Sequence, residues 1–394
     1  MPIYKLNDVC EFITDGTHQT PTYCEDGGVI FLSSKDVTSR KIDWENAKHI
    51  PDELHAKLYK RLAPQRNDIL LAKNGTTGVA AIVDRDDIFN VYVSLAVLRP
   101  KKEIYPHYLL YAINSSVAKR QFNAGLKGIG VPNLHLSVIR NARINVCHYE
   151  QQVKICDRLE KISNIIEARK QELQLLDDLI KARFVEMFGD PQLNPFGWNV
   201  VNISEVVGDK VSNGFFAKRD DYVDNGNVSV LGVANVVNRM YSKIDGLPRT
   251  NADAKDIEKF EVKYGDMLFC RSSLVAEGIG KASIIPEDVQ EKVLFECHVI
   301  RLPLELSKCI PEFMQALSTM EYFRNQVIAQ SKTATMTTIG QDGILKTDII
   351  LPPIDKQREF YDFVKKIDKS KAVIQKALDK TQLLFDSLMQ KYFG

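Results

Sequence analysis

Two glycine-bearing turns, Gly75-Thr76-Thr77-Gly78 and Gly278-Ile279-Gly280-Lys281, are where a phosphate-cradling loop would be sought. Neither has the G-x-x-x-x-G-K-[ST] spacing that wraps backbone N–H groups around phosphates. Asn194-Pro195-Phe196 is superficially similar to the signature with which amino-methyltransferases hold a target base. It lacks the second proline, has no glycine-rich cofactor loop upstream, and reads better as a turn. The seven histidines form no cluster at metal-ligand spacing. Cys10, Cys24, Cys147, Cys156, Cys270, Cys297 and Cys309 are odd in number and none are spaced C-x-x-C. That argues for reduced, mostly buried thiols rather than a disulfide framework or zinc knuckle. The expectation is a chain with no catalytic residues, cofactor or metal of its own.

The polar and basic clusters in turn-rich stretches suit binding instead. In the first half they are Thr17, His18, Gln19 and Thr20 with Lys35; then Lys73, Asn74, Thr76 and Thr77, directly after the strand-like run Ile69–Ala72; then Lys127 and Asn133. Matching places in the second half hold Lys218 and Arg219; Asn235; Arg271, Ser272 and Ser273; and Lys332 and Thr335. Such side chains offer donors and acceptors to base edges, and cations and hydroxyls to phosphates. Solvated turns use the same residue types. The net charge of +1 gives no bulk attraction to a polyanion, so any such contact needs a local patch.

The elements that must position these clusters come in pairs. With 394 residues, 44% apolar and 26% charged, the chain has material for two or three soluble domains. It has no long apolar run, and Met1–Leu6 does not open a signal peptide, so the expected location is the cytoplasm. Residues 150–189 carry apolar residues at Ile155, Leu159, Ile162, Ile166, Leu173, Leu176, Ile180 and Met187, in heptad phase, interrupted by Arg169 and Arg183. A shift of 205 lands on Phe360, Val364, Ile367, Ile374, Leu378, Phe385, Leu388 and Tyr392, interrupted by Lys371 and Thr381. Both segments end in Phe-Gly, at Phe188-Gly189 and Phe393-Gly394. Short strand-like runs and two helical stretches, Pro106–Phe122 and Pro311–Ala329, also recur.

The expected fold is therefore α+β: two similar globular domains in tandem, separated and followed by long helices. The boundaries read as 1–149, 150–189, 190–355 and 356–394. Gly189 suits a left-handed helix end, with Pro191 and Pro195 beyond it, and Asp355 is placed as the cap of the last helix. Each helix of about 38 residues would span roughly 57 Å and must bury its seam. The other helix is the natural partner, in an antiparallel coiled coil with pseudo-twofold symmetry; a parallel pairing is the second choice. Ile162 and Leu173 are expected to face Ile367, Ile374 or Leu378.

Over its whole length the chain resembles the specificity subunit of bacterial type I restriction–modification systems. The resemblance is carried by the two modules and two helices, by Phe188-Gly189-Asp190-Pro191 with Asn194-Pro195-Phe196-Gly197-Trp198, by Asp15-Gly16-Thr17-His18, and by Ile349-Ile350-Leu351-Pro352-Pro353-Ile354-Asp355-Lys356-Gln357. The first half departs at Ile144–Gln152, which keeps the glutamine but not the prolines. The resemblance implies that each module reads one half of a split, asymmetric site in double-stranded DNA. It implies that the helices space the modules and dock two methyltransferase subunits, and that restriction–translocase subunits join the larger assembly. A coiled-coil scaffold that binds only proteins explains the helices but leaves both modules idle.

Overall fold

The computed structural model describes residues 1–37, 40–126 and 133–394. The chain divides into two compact units, Met1–Lys170 with Lys376–Gly394, and Gln171–Gln375. Both long helices are shared between units.

In the first unit, Cys10–Asp15 (β1), Ile69–Ala72 (β2), Ala80–Ile82 (β3) and Leu95–Pro100 (β4) form an antiparallel sheet in the order β1-β4-β2-β3. All of β2 is buried, and the two-residue period of a strand divides its side chains. Ile69 and Leu71 enter one core, Leu70 and Ala72 another. The sheet is therefore a middle layer, which explains an apolar run without polar alternation. One face packs against the helices Pro106–Asn114 and Ser116–Ala124 through Tyr108 and Phe122. The other packs against a three-stranded sheet, Lys48–Ile50, Val29–Leu32 and Phe89–Val91, with the Trp44 and Phe89 rings edge to face at 5.2 Å. The stretch read as one helix from Pro106 is two, because the Ser115 hydroxyl accepts from the Ala118 N–H and caps a new start.

The first long helix, Tyr149–Phe188 (α1), leads into the second unit, which repeats the plan. Ser212–Asn213 (β5), Asp266–Cys270 (β6), Ala282–Ile284 (β7) and Val299–Pro303 (β8) form a sheet in the order β5-β8-β6-β7. Met267 and Phe269 face one core, Leu268 the other. A three-stranded sheet of Arg249–Thr250, Val228–Leu231 and Val293–Phe295 again covers the far face. The chain closes with Ile354–Phe393 (α2), whose first turn includes Asp355. The helix starts one residue before the expected cap, because the Pro353 carbonyl already accepts from the Lys356 and Gln357 N–H groups. Asp355 contributes its charge to the helix N-terminus instead.

The helices pair antiparallel within each unit. In the first, Arg158 Nη1 donates to Tyr392 Oη at 3.3 Å and Arg169 Nη1 to Ala377 O at 2.6 Å. In the second, Lys371 pairs with Asp177 at 2.5 Å and the Phe184 and Phe360 rings lie 5.7 Å apart. Rising numbers on α1 meet falling numbers on α2 in both. Leu159, Ile166 and Phe385 are buried in the first unit, with Ile162, Leu378 and Leu388 half-buried against them. Ile180 and Val364 are buried in the second, with Ile367 half-buried beside them. Leu173, Leu176 and Ile374 are half-buried. The polar interruptions find partners: Arg169 also donates to the Thr381 hydroxyl, and Arg183 lies 5.7 Å from the Phe363 ring.

Phe184 was not expected in the seam, yet it is fully buried between Phe188 and Phe313. Phe184 lies at the edge of the heptad face, where it meets both Phe360 of the other helix and Phe313 of the module. The helix entries match despite the missing prolines. Gln152 accepts from the Tyr105 N–H and donates to Glu103 O and Cys147 O; Gln357 accepts from the Ile310 N–H and donates to Lys308 O and Pro352 O. Gly189 sits at φ 77°, the left-handed helix end anticipated. Among the described residues no helix is long and apolar enough to cross a membrane.

Candidate nucleic-acid interface

Register brings three loops to one end of each four-stranded sheet. In the first unit Asp15 and Ala72, the last residues of β1 and β2, pair with Ala96 and Leu95 at the start of β4. The turn Tyr92-Val93-Ser94, just before β4, becomes the hub. Thr17 bridges to Tyr92, and the Thr20 hydroxyl lies 3.4 Å from the Tyr92 hydroxyl. The Ser34 N–H donates to Ser94 Oγ at 3.0 Å, which seats the turn Ser34–Val37 that exposes Lys35. The Lys73 N–H donates to Ser94 O at 2.8 Å, and Asn74 bridges to Asn133.

The second unit repeats these bonds with other side chains. The Phe215 N–H donates to Phe295 O as the Thr17 N–H does to Val91 O. The Arg271 N–H donates to His298 O at 2.9 Å, and Arg271 O accepts from the Ile339 N–H as Lys73 O does from Leu134. Gly16 and Gly214 stand at equivalent crossings, where a Cβ would fall 1.9 Å from Val91 O and 2.2 Å from Glu296 O. These glycines let the first loop cross the hub turn.

The candidates divide by what their side chains touch. His18, Gln19, Thr76, Lys332 and Thr335 are exposed, while Thr17, Asn74, Thr77, Ser272 and Ser273 are half-buried. The Thr77 hydroxyl donates to Gly75 O, and Ser273 Oγ accepts from the Val275 N–H, so both also hold their turns. Lys73 is buried and paired with Asp15 at 2.5 Å, with both side chains about nine-tenths out of solvent. Its charge is spent beneath the loop rather than offered outward. Arg271 is half-exposed and donates through Nη1 to Cys297 O at 3.2 Å. Asn235 accepts from the Gly232 N–H, bracing its own turn as Asp36 does beside Lys35. Lys218 and Arg219 are exposed on a turn closed by Asp221, which leads to Tyr222 and its bridge to Thr250. Lys127 lies outside the described residues.

Asp15 stood out from sequence only within a motif, and Tyr92, Ser94 and His298 were not singled out. Their signal was the polar break between the apolar runs Phe89–Val91 and Leu95–Leu98, and between Val293–Phe295 and Val299–Ile300. The second unit also has a hollow of about 460 Å³ lined by Lys181, Arg239, Lys281 and Arg324. Its carboxylate, Asp177, is paired with Lys371, and Lys281, Arg239 and Arg324 donate to Asn238 Oδ1 and to main-chain carbonyls. Asn194 closes its turn on Trp198 through two bonds of 2.8 Å, confirming that the Asn-Pro-Phe stretch is structural. Among the described residues no cluster of His, Cys, Asp or Glu is arranged to hold a metal.

A model of the family described as type I restriction modification DNA specificity domain matches residues 1–177 and again 195–381. The chain belongs to this family. Its members supply DNA specificity to a type I restriction–modification system and are not themselves catalytic. The chain is similar to the type I restriction enzyme MjaVIII specificity subunit of Methanocaldococcus jannaschii, 23% identical over 82% of this chain and 78% of that one. It shares its fold with the type I restriction–modification S subunit from M. genitalium, at 11% identity and a TM-score of 0.57, covering 100% of this chain and 96% of the other. A chain of a type I R-M system, solved in work on complex assembly and conformational transition, superposes with a TM-score of 0.51 at 15% identity, over 99% and 97% of the two chains. The family match covers both repeats, so the duplicated loop ends belong to two copies of a specificity domain.

Proposed function

We propose that each unit reads one half of a bipartite, asymmetric site in double-stranded DNA through the loops gathered at its hub turn. The observation that carries this reading is a shared backbone with unlike chemistry: the same hub bonds hold Lys73-Asn74 in one unit and Arg271-Ser272 in the other. In this reading the target-recognition domains are residues 1–149 and 190–355. The spacers 150–189 and 356–394 set the distance between half-sites and dock two methyltransferase subunits, through which restriction–translocase subunits join in the cytoplasm. Lys73 positions the first loop through Asp15, while His18, Gln19, Asn74, Thr76 and Thr77 face the DNA. Arg271, Ser272, Lys332 and Thr335 do so in the second unit.

The test is methylome sequencing of cells carrying the subunit with its methyltransferase. Asn74→Ala with Thr76→Ala is expected to relax one half-site only, and Arg271→Ala with Ser272→Ala the other, each at about 1–3 kcal/mol of discrimination per lost base contact. Unchanged recognition of both half-sites by both variants would overturn the assignment. Four residues inserted between Lys170 and Gln171 lengthen α1 by about 6 Å. The spacer should then gain one or more base pairs while both half-site sequences stay the same.

A further inference from the structure

We propose that the second unit reads thymine through an apolar contact, in which Leu274, Val275 and Met336 meet the C5-methyl group of a thymine in the major groove. The inference rests on the loops being DNA-facing and adds which base chemistry one of them takes.

The loop after β6 is longer than its counterpart. The Gly78 N–H donates to Ala72 O and the Gly280 N–H to Cys270 O, so these residues correspond. Between them lie residues 73–77 in the first unit and 271–279 in the second. The added length carries Leu274 and Val275, which are 83% and 58% exposed. Ser272 and Ser273 pair antiparallel with Thr338 and Thr337, so the next position along this register sets Leu274 opposite Met336, itself 37% exposed. Phe216, on the neighbouring loop, is 68% exposed. The corresponding first-unit loop, Lys73-Asn74-Gly75-Thr76-Thr77, holds no large apolar side chain.

These side chains are presented by a fixed backbone. Ser273 Oγ accepts from the Val275 N–H, Val275 O accepts from the Gly278 N–H, and Lys332-Thr333 pairs with the strand that also pairs with Ser272-Ser273. Ser272 and Lys332 stand on the same paired strands, with Arg271 directly before Ser272 and His298 3.2 Å from the Ser272 hydroxyl, and the exposed carboxylate in this loop is Glu277. Polar rims also surround protein interfaces; what favours DNA here is that the patch stands on the loops at the hub end, which the proposed function turns toward DNA. A base edge flanked by phosphates fits it, and thymine is the base whose major-groove edge carries a methyl group.

The experiment uses the full chain with its methyltransferase subunits and a duplex containing the recognised site. Each thymine of the second unit's half-site is replaced by deoxyuridine, which removes the methyl alone. At one or more positions the unaltered protein is expected to bind about threefold to tenfold more weakly. Leu274→Ser with Met336→Ser should bind thymine and deoxyuridine duplexes alike, and Leu274→Met should keep the discrimination. The thermal midpoint should not move for Leu274→Ser alone, because that side chain is 83% exposed. Equal binding of thymine and deoxyuridine at every position by the unaltered protein, or a half-site with no thymine, overturns the proposal. So does a serine variant that loses its methyltransferase subunits while keeping its thymine preference, which would make the patch a protein contact. If Arg271→Ala with Ser272→Ala leaves the recognised sequence unchanged, the DNA-facing reading itself fails, whatever the deoxyuridine result.

Discussion

In the first unit Asp68 is buried and receives Arg99 through two bonds of 2.8 Å, while the Gln65 N–H adds a third at 2.9 Å. In the second unit Asp266 stands in the same place and receives the Lys263 N–H at 3.0 Å, while Arg301 keeps the main-chain bond, to Glu261 O, that Arg99 also makes to Ala63 O. Burial pushes the Asp266 carboxyl up to about 6, only partly countered by the Lys263 N–H and the charge of Arg301. At the loop ends the same divergence recurs: Asp15 is paired with Lys73, whereas its counterpart Asn213 has a buried Oδ1 without a partner among the described residues. Duplicated backbones tolerate this because the ladder and hub bonds are made by main-chain groups common to both units, leaving side-chain pairing free to differ.

The largest effect should come from the places where the units are alike. Phe188 is fully buried against Phe184, Phe313 and Phe360, and Phe393 lies 5.0 Å from Tyr108. Phe188→Ala is expected to destabilise the second unit, and Phe393→Ala the first, by about 3–5 kcal/mol. Hydrogen exchange resolved by unit measures this, since a chain of two units need not unfold in one step. Equal loss of protection in both units for either variant would show that the two cores are not separable.

The buried aspartates should respond with opposite sign. Asp68→Asn strands Arg99 and is expected to cost about 3 kcal/mol. Asp266 binds its proton more tightly folded than unfolded, so the second unit loses stability as pH rises from about 4 to about 6. Asp266→Asn should remove that loss, a gain of at most about 3 kcal/mol at pH 7 that vanishes below about pH 4. Denaturant titrations at pH 4 and pH 7 would measure both, and a gain that persists at pH 4 would contradict the burial account.

Gln152 and Gln357 offer a matched pair. Each makes three bonds to main-chain groups at a helix entry, and replacement of either by alanine leaves those groups unsatisfied, at about 2 kcal/mol. Unequal costs, measured by thermal unfolding, would show that the prolines beside Gln357 stiffen that entry. The smallest effect belongs to exposed Lys332. Lys332→Ala should leave stability unchanged, weaken DNA binding alike for all sequences, and lower the slope of log affinity against log salt by about 1. A change in the recognised sequence would instead make it a base contact.

Composition and periodicity by themselves determined the duplication, the two long helices, the break at Gly189 and the membership of the loops, because each leaves a local signature: a heptad, a Phe-Gly ending, a positive-φ glycine, a polar run after an apolar strand. The antiparallel pairing was expected from the need to bury a seam, and the partners of Arg169, Lys371 and Arg183 show how its polar interruptions are accommodated. Only the tertiary structure decided that Phe184 is core, that Asp355 is not the cap, and that Lys73 is buried on Asp15. It also decided that the Tyr92–Ser94 and Glu296–His298 turns are the hubs. Apart from the Asp355 helix start, which is local, these facts depend on residues that meet from well outside one another's element, as Lys73 and Asp15 do across 58 positions. A local pattern specifies which face of an element is apolar, and packing specifies what that face, and each charge beside it, will touch.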